Sequence, residues 1–297
     1  MLTLRTAVGV GSATMLMHVA ASPGLLLLAV DRTGLTYDTR LVAPEAGLIP
    51  VGTIHYVVLE GQAEWHATAR THPAPVAFAL PAAEFEALGS GPRRSVRLSG
   101  QRFRAVEVWR ERASATPDGV LEAAGPLVEA AGAYFDACRV GEVALSPDEE
   151  RRWESSAAAL LAASAPEDAS ARATDAAFAT MPPMLRDTWF AFSDLVLTAP
   201  LSATQSQLAD AAGRSSRQAN RDFRAILQYF DAAGTGFRDL IQRWRLRAAV
   251  LFLSAADADI AAVARTVGYA RAEAMANAFQ RAGLPSPRRI RAQLVGP

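Results

Sequence analysis

The chain has 297 residues, 51% apolar and 20% charged, with 30 basic and 30 acidic side chains and a formal net charge of zero. It is long enough for two domains, and its composition is that of a soluble globular protein. No apolar run is long enough to span a bilayer, and Cys138, the single cysteine, excludes an intramolecular disulfide and fits a reducing cytosol.

The zero total hides an asymmetry. Residues 185–297 hold 15 arginines against nine acids, a net of +6, which leaves −6 for residues 1–184. There is no lysine, so every cationic side-chain contact to a phosphate must come from arginine.

Met1 to Ser22 carries Arg5, an apolar stretch and Ala20-Ala21-Ser22, in the style of a secretion leader. Gly9, Gly11, Ser12, Thr14 and His18 interrupt that stretch, so a cytoplasmic chain is expected. Residues 1–115 read as a β-rich domain of short apolar runs punctuated by Gly, Pro and Asp. The expected strands are Thr14–Ala20, Leu25–Val30, His55–Glu60, Glu64–Thr71, Pro75–Leu80, Ser95–Ser99 and Arg102–Arg110, in a barrel or sandwich. Pro81–Leu88 reads as a short helix. Residues 116–182 form a helical connector and possible dimer interface, with helices over Val120–Cys138, Pro147–Ala163 and Ala169–Ala179. Ser146-Pro-Asp-Glu-Glu is a helix start: an N-cap, a proline in the first turn, then acids at the positive end of the dipole.

Residues 183–297 read as an all-α domain opening with a helix over Leu185–Leu197. Two similar units follow, over about 198–230 and 255–294, joined by a linker helix over 237–253. In the second, Asp259-Ile-Ala-Ala-Val-Ala-Arg-Thr-Val-Gly268-Tyr269 puts Ile260, Val263, Ala264 and Val267 on one stripe. Gly268 then makes the turn with a left-handed backbone. The next helix buries Met275, Ala278, Phe279 and Ala282 and shows Glu273, Asn277 and Gln280 outward, with Arg281 alongside. The first unit repeats the scheme. Leu208, Ala209 and Ala212 form the support, Gly213 makes the turn, and Ser215 is the N-cap. Ala219, Phe223, Ile226 and Leu227 point inward, while Arg217, Arg221, Arg224 and Gln228 point outward, flanked by Gln218 and Asn220. Arginine can take guanine O6 and N7 together, and Gln or Asn can take adenine N6 and N7. In the linker, Phe237, Ile241, Trp244, Ala248 and Leu251 make one stripe and Leu246, Val250 and Leu253 another, as expected of a helix packed between two small bundles.

Residues 185–297 resemble the DNA-binding domain of the AraC/XylS family of transcription regulators. Arg243-Trp-Arg-Leu-Arg-Ala-Ala matches that family's linker signature, and Ile260 through Gly268-Tyr269, Phe279, Ser286-Pro287 and Arg291 match its strongest one. Ala219, the long Gln228–Gly236 loop and Gly283-Leu284 depart from the pattern. The resemblance implies cytoplasmic binding to double-stranded promoter DNA, usually activation through RNA polymerase, and often a homodimer. It assigns recognition helices to Ser216–Leu227 and Arg271–Ala282, adding Ser215 and Arg271 to the DNA-facing set. It also implies a cupin-like N-terminal domain that senses a small-molecule effector, to which Ile54-His-Tyr-Val-Val-Leu-Glu-Gly61 and Glu64-Trp-His correspond by fold-level analogy.

Other chemistry is weakly signalled. His55, His66 and His72, with Glu60 and Glu64 near them, match no metal-ligand spacing. Tyr56, Trp65, Phe78, Phe103 and Trp109 read as core before pocket lining, and Cys138 reads as a small buried apolar residue. Val8-Gly-Val-Gly11 lacks the rest of a phosphate loop, and Asp148 to Arg152 is a solvated helix face. No enzyme and no cofactor is expected. The competing readings are a cupin-type metalloenzyme with a fused regulatory domain, and a protein-interaction module whose helix-turn-helix units no longer bind DNA.

Overall fold

The computed structural model describes residues 2–22, 25–38, 53–65, 70–81, 96–110, 148, 151, 155, 181–199, 201–229 and 236–295. The α+β expectation holds: an antiparallel sheet precedes a helical domain. The sheet comprises β1 (Leu2–Val10), β2 (Ala13–Ser22), β3 (Leu25–Thr33), β4 (Tyr37–Asp38), β5 (Thr53–Trp65), β6 (Arg70–Pro73), β7 (Val76–Pro81) and β8 (Val96–Arg110). The path runs β1-β2-β3-β8-β5-β6, with β4 pairing β8 and β7 pairing β5.

Three sequence expectations are corrected here. Leu2–Val10, read as a leader-like stretch, is a strand that forms a hairpin with β2 through Gly11-Ser12. His55–Glu60 and the start of Glu64–Thr71 lie on one strand, β5, which is kept continuous by register irregularities around Glu60. Glu64 then pairs with Thr71 across a hairpin, so those two residues cannot share one straight strand. Ser95–Ser99 and Arg102–Arg110 likewise merge into β8. Residues 82–95 and most of the connector, including the Pro81–Leu88 helix beyond its first residue, Cys138, Val120–Cys138 and Ala169–Ala179, lie outside the described residues. In the expected Pro147–Ala163 helix, Asp148, Arg151 and Ser155 are helical, and Arg151 pairs with Asp148.

Register puts Val8, Met15, Met17, Leu28, Val30, Arg32, Tyr56, Val58, Phe103, Ala105 and Glu107 on one face of the sheet. The other face buries Ala29, Asp31, Val57 and Val106; there Arg102 and Arg104 both bond Asp31. Strands apolar on both faces lose the in-out alternation that marks a half-exposed strand.

The helical domain is α1 (Pro183–Thr198), α2 (Gln205–Ala211), α3 (Ser216–Tyr229), α4 (Phe237–Phe252), α5 (Ile260–Thr266), α6 (Ala272–Arg281) and α7 (Pro287–Val295). Pro183 opens α1 where the missing N–H costs nothing. α2 starts with a capping box, in which Thr204 Oγ1 accepts from the Gln207 N–H and Gln207 Oε1 accepts from the Thr204 N–H. α7 is tied back by Arg291, which donates to the Ala255 and Ala256 carbonyls at 3.0 and 3.1 Å.

Sheet and helices form one body. β1 lies against α1 and α5. The Thr36 N–H donates to Ser254 Oγ at 2.8 Å, Arg97 donates to the Leu294 carbonyl at 2.9 Å, and the Ser12 N–H donates to Asp257 at 2.9 Å. The hydrogen bonds from Ser12 hold the Asp257 carboxyl below its ordinary value of 3.8. A lowered folded-state value means the contribution to stability is complete above that ordinary value and is lost as pH falls through the lower one. Comparing acid unfolding of the native chain with Asp257→Asn should therefore show a component below about pH 4 that the variant lacks; superimposable curves would contradict it.

Candidate nucleic-acid interface

Each unit sets a polar helix on a buried support. In the first, Leu208 and Ala209 of α2 are buried and Ala212 is half-buried. Gly213, φ 61°, makes the turn, and the Arg214 N–H closes it on the Ala209 carbonyl at 2.8 Å. Ser215 caps α3 as expected: its Oγ accepts from the Gln218 N–H, and Gln218 Oε1 accepts from the Ser215 N–H and hydroxyl. Ala219, Phe223, Ile226 and Leu227 are buried behind α3. Arg217, Arg221, Arg224 and Gln228 are exposed. α3 runs to Tyr229, two residues beyond the expected end.

In the second unit Val263, Ala264 and Val267 are buried and Ile260 is half-buried. Gly268, φ 84°, makes the turn, and the Tyr269 N–H donates to the Ala264 carbonyl at 2.8 Å. Met275, Ala278 and Phe279 hold α6 down. Ala282 is exposed at the end of the helix, not buried as expected, because α6 ends at Arg281. Arg271, Glu273, Asn277, Gln280 and Arg281 are all exposed.

The two outward rows share one spacing. Arg217, Arg221 and Arg224 stand at i, i+4 and i+7 on α3, and Glu273, Asn277 and Gln280 stand at i, i+4 and i+7 on α6. One row is three cations; the other is an acid and two amides. Several residues of the expected set are partly committed elsewhere: Ser215 shares the cap with Gln218, and Arg221 Nε lies 3.9 Å from Asp222 Oδ1. Half-buried Asn220 turns toward Gly236, where an added Cβ would sit 2.8 Å from its Oδ1. Arg281 also donates to the Asn277 carbonyl at 3.3 Å.

Residues 208–293 match a family model described as a helix-turn-helix domain. They form a double helix-turn-helix domain. Its two units are those just described, and its linker is α4. Among solved structures, ToxT from Vibrio cholerae aligns with a TM-score of 0.32 at 12% identity, over 96% of this chain and 99% of that one. The AraC-like transcriptional activator CuxR aligns with a TM-score of 0.24 at 16% identity, over 82% and 85%. A search of curated proteins found no match.

Contacts that no local sequence pattern announces fix the helix-turn-helix domain internally. Arg245 on α4 donates from Nε to the Leu201 carbonyl at 2.5 Å, and its guanidinium lies 5.9 Å from the Tyr269 ring centroid. Gln242 Nε2 donates to the Tyr269 hydroxyl at 2.8 Å. Burial lowers the Arg245 pKa and raises that of Tyr269. The loop before α2, the linker and the turn of the second unit thus meet at one point. The expected cover of the first stripe of α4 is also corrected. Trp244, Arg247, Ala248 and Leu251 share a small cavity with Val8, Met15, Met17, Leu28 and Arg32 of the sheet, so α4 is covered by strands as well as by bundles.

No helix among the described residues is long and apolar enough to cross a membrane. Among them no cluster of three or more His, Cys, Asp or Glu side chains is arranged to hold a metal ion. His66 and the His55 side chain lie outside what is described. Tyr56 and Phe103 are buried in the sheet core; the side chains of Trp65, Phe78 and Trp109 are outside the described set.

Proposed function

We propose that this protein is a sequence-specific regulator of transcription that reads double-stranded promoter DNA with α3 and α6 in successive major grooves. The observation that carries the reading is the pair of outward polar rows, each backed by a buried helix face and both joined to one rigid linker. Phosphate contacts supply most of the affinity and the rows supply the discrimination. Arg217, Arg221 and Arg224 suit guanine edges; Asn277 and Gln280 suit adenine; Glu273 accepts from cytosine N4 but repels phosphate. The first unit therefore carries most of the base specificity. Ser215, Gln218, Asn220, Arg271 and Arg281 flank the two rows.

The double helix-turn-helix domain favours a regulator over an enzyme. Activation through RNA polymerase, homodimerisation, a cytoplasmic location and a small-molecule effector in the sheet domain extend the proposal on the strength of the family resemblance.

A mobility-shift titration against the gene's own upstream region tests the reading. Affinity should fall with salt at a log–log slope of about −0.9 per phosphate neutralised. Arg217→Ala should cost about 1–3 kcal/mol on the preferred site, and Glu273→Ala or Asn277→Ala should cost less. The opposite ranking would overturn the assignment to the first unit, and salt-insensitive or absent binding would overturn DNA reading itself.

A further inference from the structure

Glu107 is an acid in a core register. It shares its sheet face with Phe103 and Ala105 on β8, stands opposite Leu28 and Tyr56, and is 1% exposed. Its carboxylate takes two arginines from different parts of the molecule. Arg247 of the linker helix α4 donates from Nη2 to Glu107 Oε2 at 2.6 Å, across 140 residues of sequence. Arg32 of β3, itself 1% exposed, lies at 3.5 Å from Oε1. The Arg32 guanidinium is 4.9 Å from the Tyr37 ring centroid and 5.5 Å from that of Phe103, and the Arg247 guanidinium is 5.8 Å from that of Tyr37. Tyr37 and Tyr56 share a hydrogen bond of 3.2 Å.

Burying three charges is expensive, and removing one partner of such a set typically costs several kcal/mol. The cluster therefore resists separation of the surfaces that hold it. The adjoining cavity, lined in part by Arg32 and Arg247, measures about 20 Å³, room for roughly one water.

We infer that the Arg32–Glu107–Arg247 bridge pins the sheet domain to the linker helix and so fixes the relative pose of the two helix-turn-helix units. The sheet bears on both units: β1 lies on α5 and on α1, which itself packs against α2 and α3 of the first unit, Ser12 bonds Asp257 ahead of α5, and Arg97 bonds the end of α7. Neither unit can swing about α4 while the sheet stays seated. Both outward rows remain exposed in the pinned form, so the pin preorganises the reading heads, which saves ordering cost on binding. That consequence rests on the DNA-reading proposal; the pin itself does not.

The test uses the full chain with Arg247→Met and Arg247→Lys. Either variant leaves Glu107 beside Arg32. Lysine can still reach the carboxylate, whereas methionine offers similar bulk and no charge. The Thr36 and Ser12 amides donate to helical-domain side chains, so their hydrogen exchange without DNA reports whether the interface is closed. Protection at both amides should fall about tenfold or more in Arg247→Met and stay near native in Arg247→Lys. Native protection in Arg247→Met, or equal losses in both variants, would overturn the bridge as the pin. On the upstream DNA fragment, Arg247→Met should bind several-fold more weakly than the native chain. Equal or tighter binding, with protection lost, would overturn preorganisation while leaving the pin. If the native chain binds no DNA, the functional reading fails and the amides still judge the pin.

Discussion

Phe223→Ala should be the most damaging single truncation in the first unit, lowering stability by about 3–5 kcal/mol. Phe223 has no exposure. Its ring centroid lies 4.8 Å from that of Phe192 on α1 and 5.6 Å, edge-on, from that of Phe237 at the start of α4. Phe192 in turn packs on Trp189, Phe237 and Trp244. One side chain of the recognition helix thus joins three helices, and aromatic pairs of this geometry add about 0.5–1.5 kcal/mol beyond area burial. Urea unfolding followed by tryptophan fluorescence would report the loss, since Trp189 and Trp244 border the cluster. Arg217→Ala, exposed on the opposite face of the same helix, should weaken DNA binding with the unfolding midpoint unchanged. If Phe223→Ala cost less than about 1 kcal/mol, the aromatic cluster would not be what seats α3.

The contrast between those residues also shows which parts of the molecule could be read from the sequence. Phe223 and Phe279 recur at helical spacing within short segments, so local periodicity exposes the buried backs of α3 and α6 and, by subtraction, the outward rows. Gly268 and Ser215 announce a turn and a cap through chemistry confined to a few residues. The sheet offered less. Leu2–Val10 does alternate, with Leu2, Leu4, Val8 and Val10 on one side and Thr3, Arg5 and Gly9 on the other, but its leader-like composition masks the pattern; β5 and β8 run on through Gly61 and Gly100, which read as breaks between strands. The bridge at Glu107 was half legible: period-two counting places it with Phe103 and Ala105, which flags an acid facing a core. Its partner Arg247 sits among four other arginines between Arg238 and Arg265, and nothing local distinguishes it. A contact spanning 140 residues is a property of how the two domains dock, and neither domain's pattern contains it.

Gly268→Ala tests the other junction. Gly268 has φ 84°, and a Cβ there would overlap the Leu201 carbonyl oxygen and come within 2.9 Å of Arg245 Nε. That carbonyl is the acceptor of the Arg245 bond. It belongs to backbone just ahead of α2 and cannot turn aside as a flexible side chain would. Gly213 is the matched control. It occupies the same place in the first unit at φ 61°, and a Cβ on it meets nothing within 4 Å. Gly213→Ala should therefore cost only the left-handed backbone penalty, about 1–2 kcal/mol. Gly268→Ala should cost that and the displacement of Leu201 besides, about 3 kcal/mol or more. Because Leu201 leads into α2, the damage should cross units: exchange protection should fall in α2 as well as α5, and the native chain's discrimination against DNA altered only in the half contacted by α3 should shrink. Equal destabilisation by the two alanines, or damage confined to α5 and α6, would mean that the two units do not share this point of support.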